Sequence, residues 1–177
     1  MPVPDGVVLV TGVMTAGKST VAQALAETLP RAAHVRGDVF RRMIVSGRKE
    51  YVPGDEAEAQ LRLRYRLSAA TADAYAEAGF TAVVQDVVLG EDLRMYAALV
   101  RTRPLYVVVL APRPEAVAAR EAERSKTGYG DAWTVGMLDE ALRTRTPRIG
   151  LWLDTSELTV EQTVEAILAE RERARVV

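Results

Sequence analysis

The sequence predicts an α/β fold: a three-layer sandwich in which a parallel sheet of five strands carries helices on both faces. Two observations lead to this prediction. Short apolar runs alternate with longer helix-forming segments along the 177 residues, an order that produces parallel strands joined by right-handed crossovers. The run from Leu105 to Leu110 is apolar without interruption, which is typical of a central strand buried on both faces.

In the first half of the chain, three strands are predicted to alternate with three helices. The predicted elements are strand 7–10, helix 18–29, strand 33–35, helix 39–45, helix 55–78 and strand 81–85. Asp38 precedes the short helix and is a favoured residue type for its N-cap. Gly79 is expected just past the end of the long helix. Apolar residues that recur at helical spacing predict the buried face of this long helix, namely Leu63, Leu67, Ala70 and Ala74.

The second half continues the alternation. We expect helix 91–102, strand 105–110, helix 114–125, helix 132–144, strand 149–153 and helix 160–174. Pro114 suits the first turn of its helix, and the residues from Thr159 to Gln162 fit a capping box. Two glycines follow Lys126, so we predict a mobile lid at about residues 120–131.

Length and composition indicate one globular domain, residues 1–177, with a sizeable core. Hydrophobic residues make up 49% of the chain and charged residues 27%. The net charge of −1 gives no overall basic field for nucleic acid. We see no signal peptide, and no apolar run approaches the ~20 residues that a membrane helix needs. The expectation is a cytoplasmic protein without a membrane partner.

The residues from Gly12 to Ser19 fit the phosphate-binding pattern G-x-x-x-x-G-K-[ST] at every fixed position. The pattern lies between a predicted strand and a predicted helix, as it must. Its backbone N–H groups are expected to face a β-phosphate at the positive end of the helix. Lys18 can then reach the β- and γ-phosphates, and the Ser19 hydroxyl can bind Mg²⁺. The predicted phosphate site comprises Gly12, Val13, Met14, Thr15, Ala16, Gly17, Lys18, Ser19 and Thr20.

Two acidic residues follow neighbouring strands and should converge at the carboxyl edge of the sheet, where ligands bind. Asp38 could accept the proton of an acceptor hydroxyl during attack on a phosphorus atom; the alternative is a helix cap. Asp86 resembles a Walker-B carboxylate that holds Mg²⁺ directly or through water, and it is also a candidate for substrate binding. Its alternative role is that of a turn residue.

Basic residues form two candidate groups. Arg120 and Arg124 share one face of a helix before the predicted lid, where they could stabilise charge during phosphoryl transfer; the alternative is pairing with neighbouring glutamates. Arg41 belongs to a second group near Asp38 that could bind an anionic acceptor or simply be solvated. The run of Arg62, Arg64 and Arg66 alternates along a helix and is weak evidence for a groove.

Absent residue types exclude several functions. Without cysteine there can be no disulfide, thiolate metal site or Cys nucleophile. His34 is the single histidine, so a histidine-rich metal site cannot form. Asparagine is absent, which removes the Asn-Lys-x-Asp motif by which GTPases read guanine.

With these residues in place, the chain resembles the small P-loop kinases of the nucleoside-monophosphate-kinase-like superfamily, and within it chloramphenicol phosphotransferase and its relatives. The resemblance rests on four segments: residues 12–19, 37–38, 86–90 and 153–156. It implies a P-loop NTPase fold with strand order 2-3-1-4-5, and ATP and Mg²⁺ as cofactors. It also implies that Asp38 is the base and that the acceptor is a hydroxyl of a small molecule, with antibiotics among the candidates.

Two alternatives remain open. Residues 38–41 are also similar to the D-x-x-R of polynucleotide 5′-kinases, where the Asp is the base and the Arg grips the substrate phosphate. A nucleotide or polynucleotide 5′-kinase is therefore the first alternative, although the net charge of −1 makes nucleic acid the less favoured acceptor. A non-catalytic, ATP-binding regulatory protein is the second, and it would need neither a base at Asp38 nor a lid.

Overall fold

A computed structural model describes residues 5–50, 54–123 and 134–176. Its centre is a sheet in the predicted order β2-β3-β1-β4-β5. These five strands pair in parallel, so the α/β class and the strand order are both confirmed. The strands are β1 (Val7–Gly12), β2 (Ala32–Arg36), β3 (Thr81–Gln85), β4 (Leu105–Leu110) and β5 (Leu151–Leu153).

The helices connect these strands and cover the sheet. Every residue of β1, β3 and β4 is buried, as expected for strands with helices on both faces. No helix in the described ranges is long and apolar enough to cross a membrane. The helices are α1 (Lys18–Thr28), α2 (Gly37–Arg42), α3 (Asp55–Glu77), α4 (Asp92–Leu99), α5 (Pro114–Ala122), α6 (Val135–Glu140), α7 (Val160–Ala169) and α8 (Arg171–Ala174), and a π-helical turn, Ala141–Arg145, continues α6.

A sixth strand was not predicted. The last helix was expected to run through residue 174, but α7 ends at Ala169 and the short α8 follows. The chain then adds β6 (Arg175–Val176) antiparallel to the start of β4. Because β5 pairs only with the end of β4, the beginning of that edge is available for β6.

The start of α2 differs from the prediction at a functionally relevant point. The helix begins at Gly37, and Arg36 holds the N-cap position. The prediction that Asp38 is the N-cap is therefore wrong; Asp38 lies in the first turn instead. The physical reason is that β2 passes directly into α2 without a connecting loop. Other predicted helix starts are confirmed, including Pro114 at the start of α5 and the capping box of Thr159 and Gln162 on α7.

The long helix α3 buries the opposite face from the one predicted. Leu63 and Leu67 are exposed to 36% and 40%, and Ala70 and Ala74 are also exposed. The buried face carries three polar or charged residues among small and aromatic ones; its residues are Arg64, Tyr65, Ser68, Ala69, Ala72 and Asp73. Its small residues allow close approach to the sheet, and its polar groups find partners there.

Candidate active site

The register of the sheet brings the predicted functional segments to one edge. Val10 of β1 pairs with Gln85 of β3, which pairs with Arg36 of β2. The residues that follow these three on their strands are therefore level with one another. Because neighbouring strands lie ~4.8 Å apart, the phosphate-binding loop, Asp86 and the start of α2 lie in succession along the carboxyl edge of the sheet.

The phosphate-binding loop, residues 12–19, has the backbone conformation of a tight turn. Gly12 and Gly17 have φ angles of 152° and 91°. A Cβ on Gly12 would lie 2.6 Å from the carbonyl oxygen of Leu110, so glycine is required there. Thr15 is a non-glycine residue with φ of 62°, a strained conformation that is common at binding sites.

Side chains of this loop differ in accessibility. Val13 and Ala16 are buried, and Met14 is half-buried. The Lys18 ammonium donates to the carbonyl of Val13 at 2.7 Å, so the lysine folds over the loop. Ser19 and Thr20 are exposed in the first turn of α1, where their hydroxyls can be reached by a ligand.

Asp38 presents a half-exposed carboxylate in the first turn of α2, at the same edge of the sheet. Its side chain is 49% exposed and forms an ion pair with Arg42 at 3.1 Å. Arg41, one turn along α2 from Asp38, donates to the carbonyl of Lys49 at 3.0 Å. The Nη2 atom of Arg41 also lies 3.6 Å from the carboxylate of Glu50. Asp38 is thus accessible and oriented by a neighbouring cation.

Asp86 is buried and forms an ion pair that the sequence reasoning missed. Its side chain is fully buried, and that of Arg64 is 9% exposed. The Arg64 Nε donates to Oδ2 at 2.9 Å, and Nη2 donates to Oδ1. The backbone N–H of Val87 also donates to Oδ1, at 2.8 Å. Burial raises the pKa of the Asp86 carboxyl, and the guanidinium of Arg64 acts in the opposite direction.

The surroundings of Asp86 bear on the predicted Mg²⁺ site. Both of its oxygens accept hydrogen bonds from Arg64, so a bond to a metal through water fits this geometry better than direct ligation. Among the described residues, no cluster of three or more acidic or histidine side chains could hold a metal ion. Ser19 fits the role of a single protein ligand, in a site where phosphate oxygens supply the others.

Helix α3 fixes the segment that follows β3 through a network of buried hydroxyls. Tyr65 donates to the carbonyl of Val87 at 2.8 Å, and its ring meets that of Tyr96 edge-on at 5.7 Å. The Tyr96 hydroxyl bonds to Ser68 at 2.8 Å, and burial raises the pKa of this tyrosine. From the other side, the Thr11 hydroxyl donates to the carbonyl of Val88 and accepts from its N–H.

The end of α5 docks onto the phosphate-binding loop. Arg120 donates to the carbonyl of Ala16 at 3.5 Å and to that of Thr155, after β5, at 3.1 Å. The Thr15 hydroxyl donates to the carboxylate of Glu121 at 2.9 Å. Arg120 thus bridges the loop and the segment after β5. Arg124 and residues 124–131 of the predicted lid lie outside the described residues.

Sequence reasoning gave no specific role to Arg64, which it considered only as part of an arginine run, or to Glu121. A usable signal existed for Arg64, because it lies at helical spacing from Ser68 and Ala72 on a face of small residues. A charged residue on such a face needs a buried partner, and Asp86 was the available candidate. The sequence contained no such signal for Glu121, because its hydrogen bond with Thr15 depends on how α5 packs against the phosphate-binding loop.

A phosphate-binding loop between β1 and α1, in a sheet of order β2-β3-β1-β4-β5, defines a P-loop NTPase. Residues 7–147 match the model of the family AAA_33, described as an AAA domain. The chain therefore belongs to this family. A search of curated proteins found no significant match.

Solved structures share the fold over nearly the whole chain. A sugar kinase from Janibacter sp. HTCC2649, in an unliganded structure, is 22% identical, with a TM-score of 0.72 over 97% of this chain and 96% of that one. The APS kinase of Mycobacterium tuberculosis, in complex with AMPPNP and APS, is 16% identical (TM-score 0.68, 97% and 99% covered). The tunicamycin resistance protein of Deinococcus radiodurans is 17% identical (TM-score 0.64, 98% and 99% covered).

Proposed function

We propose that this protein is an ATP-dependent kinase that transfers the γ-phosphate of ATP to a hydroxyl group of a small molecule. The observation that carries the proposal is the register that sets the P-loop and the accessible Asp38 at one edge of the sheet. A phosphate site and a carboxylate on one surface are what phosphoryl transfer to a hydroxyl requires.

On the nucleotide side, the N–H groups of residues 12–19 hold the phosphates of ATP. Lys18 leaves the carbonyl of Val13 and binds the β- and γ-phosphates. Arg120, which already contacts the loop, and Arg124 add positive charge where charge develops in the transition state. The complex of the related APS kinase with AMPPNP supports ATP as the nucleotide.

The Mg²⁺ that accompanies ATP would be held by the Ser19 hydroxyl and, through water, by Asp86. When bound, it neutralises charge on the phosphate oxygens. We also propose that the predicted lid, at about residues 120–131, brings Arg124 to these phosphates.

On the acceptor side, Asp38 accepts the proton of the hydroxyl while that oxygen attacks the γ-phosphorus. The new O–P bond forms as the bond between the γ-phosphorus and the β–γ bridging oxygen breaks, and ADP leaves. The contact with Arg42 orients the Asp38 carboxylate.

An acceptor screen tests this proposal. Purified protein with ATP and Mg²⁺ is offered sugars, sugar acids, hydroxyl-bearing antibiotics, nucleosides, nucleoside monophosphates and 5′-hydroxyl oligonucleotides, and ADP release is followed. The relatives that are a sugar kinase and a tunicamycin resistance protein place sugars and antibiotics first in this panel. Acceptor-dependent release with a small molecule is the expected result.

Matched variants then assign the roles. Lys18→Ala should abolish transfer. Asp38→Asn should lower kcat by ~10²–10⁴-fold, the usual contribution of a general base, while ADP binding persists. Asp55→Asn changes an exposed acid in the first turn of α3 and should leave kcat unchanged.

Three outcomes would count against the proposal. An Asp38→Asn variant with full kcat would reject the base assignment. Release with oligonucleotides alone would favour a polynucleotide 5′-kinase. Tight ATP binding without transfer to any member of the panel would favour a regulatory ATP-binding protein.

A further inference from the structure

We propose that Glu121 is a positioning residue of the nucleotide site: acting through Thr15, it holds the phosphate-binding loop in the conformation that binds ATP. This inference deepens the proposed function and rests on it, namely on the binding of ATP at residues 12–19. Two observations carry the inference. Thr15 has a backbone conformation that its residue type disfavours, and its hydroxyl donates to a carboxylate of α5 that is 106 residues away in sequence.

Thr15 is the third residue of a tight turn within the phosphate-binding loop. The backbone N–H of Ala16 donates to the carbonyl of Val13 at 3.2 Å, which closes a turn of residues 13–16. Thr15 has a φ of 62°, and a positive φ at the third position of a turn normally requires glycine or asparagine. Threonine is branched at Cβ, and for such residues this conformation is an outlier. The loop therefore needs a further interaction to keep Thr15 in place.

The hydrogen bond to Glu121 supplies that interaction. The Thr15 hydroxyl donates to the Glu121 carboxylate at 2.9 Å, and a hydrogen bond to an ionised acceptor is stronger than a neutral one. Helix α5 is itself fixed in the core through Val117, so the carboxylate is held by an ordered element. Glycine would have no hydroxyl, whereas the threonine side chain that causes the strain also provides the group that offsets it.

The preceding residue of α5 binds the next residue of the loop. Arg120 donates to the carbonyl of Ala16 at 3.5 Å and to that of Thr155 at 3.1 Å. An acid alone beside a phosphate site would repel the ligand. Because Arg120 and Glu121 contact the loop together, the two side chains add no net charge there. We therefore expect the contribution of Glu121 to nucleotide binding to be conformational.

Loss of the Glu121 carboxylate should reduce the fraction of molecules whose loop is ready to bind phosphate. Without its acceptor, Thr15 can relax to a negative φ, and nucleotide binding must then restore the positive one. The apparent Kd rises in proportion as the binding-competent fraction falls. The conformational cost of one non-glycine residue at positive φ corresponds to about tenfold in affinity.

Calorimetric titration with ADP in the presence of Mg²⁺ measures this effect without knowledge of the acceptor. Glu121→Ala should raise the Kd of ADP about tenfold. Glu121→Gln loses the charge but keeps an oxygen that can accept the hydroxyl, so its Kd should stay within about threefold of the parent value. Glu123→Ala removes an exposed acid from the same end of α5 and should leave the Kd unchanged. A simple repulsion by Glu121 predicts the opposite result, a tighter complex in Glu121→Ala.

The variant Thr15→Gly separates this role from the other interactions that Glu121 makes. Glycine adopts a positive φ without strain, so Thr15→Gly should bind ADP within about threefold of the parent. In this background, Glu121→Ala should change the Kd by less than about twofold, because no threonine has to be held; the two substitutions are then coupled in a double-mutant cycle. A role of Glu121 in the folding of α5 alone would act equally in both backgrounds.

Turnover with an acceptor from the screen gives a second readout. Glu121→Ala should raise the KM for ATP about tenfold with little change in kcat, because the strain affects formation of the complex and not the transfer step. An equal or tighter Kd in Glu121→Ala, or a tenfold weakening that persists in Thr15→Gly, would overturn the inference but leave the proposed kinase activity intact. Coupled effects on ADP binding without transfer to any acceptor would instead refute the proposed function and support the role of Glu121.

Discussion

Removal of Arg64 should destabilise the fold far more than removal of a surface arginine. In the variant Arg64→Met, the fully buried Asp86 carboxylate keeps the N–H of Val87 as a donor but loses the guanidinium. Breaking a buried ion pair by removing one partner costs about 3–5 kcal/mol. For a domain of this length, that corresponds to a fall in Tm of ~6–20 °C.

The loss should depend on pH in a defined direction. Burial already raises the pKa of Asp86, and removal of Arg64 raises it further. An acid whose pKa is higher in the folded state than in the unfolded state loses stability as pH rises between those two values. The cost of Arg64→Met should therefore be largest at neutral pH and should shrink as pH falls toward 4, where the buried carboxyl becomes neutral.

Urea unfolding followed by circular dichroism, at neutral and mildly acidic pH, measures both effects. Arg66→Met serves as the control, because Arg66 is exposed on the same helix and its removal should change stability by less than ~0.5 kcal/mol. If the free energy of unfolding of Arg64→Met lay within about 1 kcal/mol of that of this control at both pH values, the ion pair would not contribute the stability expected of a buried pair.

Three further predictions concern other parts of the fold. A Cβ on Gly37 would overlap the Asp86 carboxylate, so Gly37→Ala should cost about 1–3 kcal/mol in urea unfolding; unchanged stability would show that the carboxylate moves freely. Burial acts to raise the pKa of Asp73, but donors from Thr102 and Arg101 outweigh it and hold the pKa low. Asp73→Ala should therefore cost about 3 kcal/mol at neutral pH, and the difference from the parent should narrow as pH falls below 4; a constant difference would contradict this. Burial and the charge of Arg36 lower the pKa of His34, so the unfolded chain takes up a proton first as pH falls below 6.5. The parent should lose stability in that range and His34→Gln should not, and NMR titration of this single histidine should show the lowered pKa directly; a pKa at or above 6.5 would refute the assignment.

The strands and the position of the P-loop could be predicted because both depend on local patterns, whereas the strand order was implied by the resemblance to P-loop kinases. The apolar runs fix which segments become strands, and the spacing of glycines and lysine in residues 12–19 is specific to one backbone conformation. The register that brings Asp38 and Asp86 to the same edge then follows from parallel pairing. None of these inferences requires knowledge of how particular side chains pack.

The buried face of α3 could not be predicted in the same way. Leu63 and Leu67 follow the helical period as well as the buried residues do, so periodicity alone favoured the wrong face. The face that is buried gains hydrogen bonds and an ion pair from Arg64, Tyr65 and Ser68. A hydrophobic pattern predicts only which apolar residues are buried. The polar residues on this face of α3 are buried because they have partners in α4 and after β3, and these partners are distant in sequence.

The polar residues on the buried face of α3 link the stability of the fold to the proposed chemistry. Because Arg64 and Tyr65 are neighbours on α3, they hold Asp86 and Val87 in succession, and Gly37 lets α2 pack directly on the Asp86 carboxylate. The Asp86 carboxylate therefore lies directly against the start of α2, the helix that carries Asp38. Under the proposed function, the buried ion pair of Arg64 with Asp86 would therefore help to fix the position of Asp38.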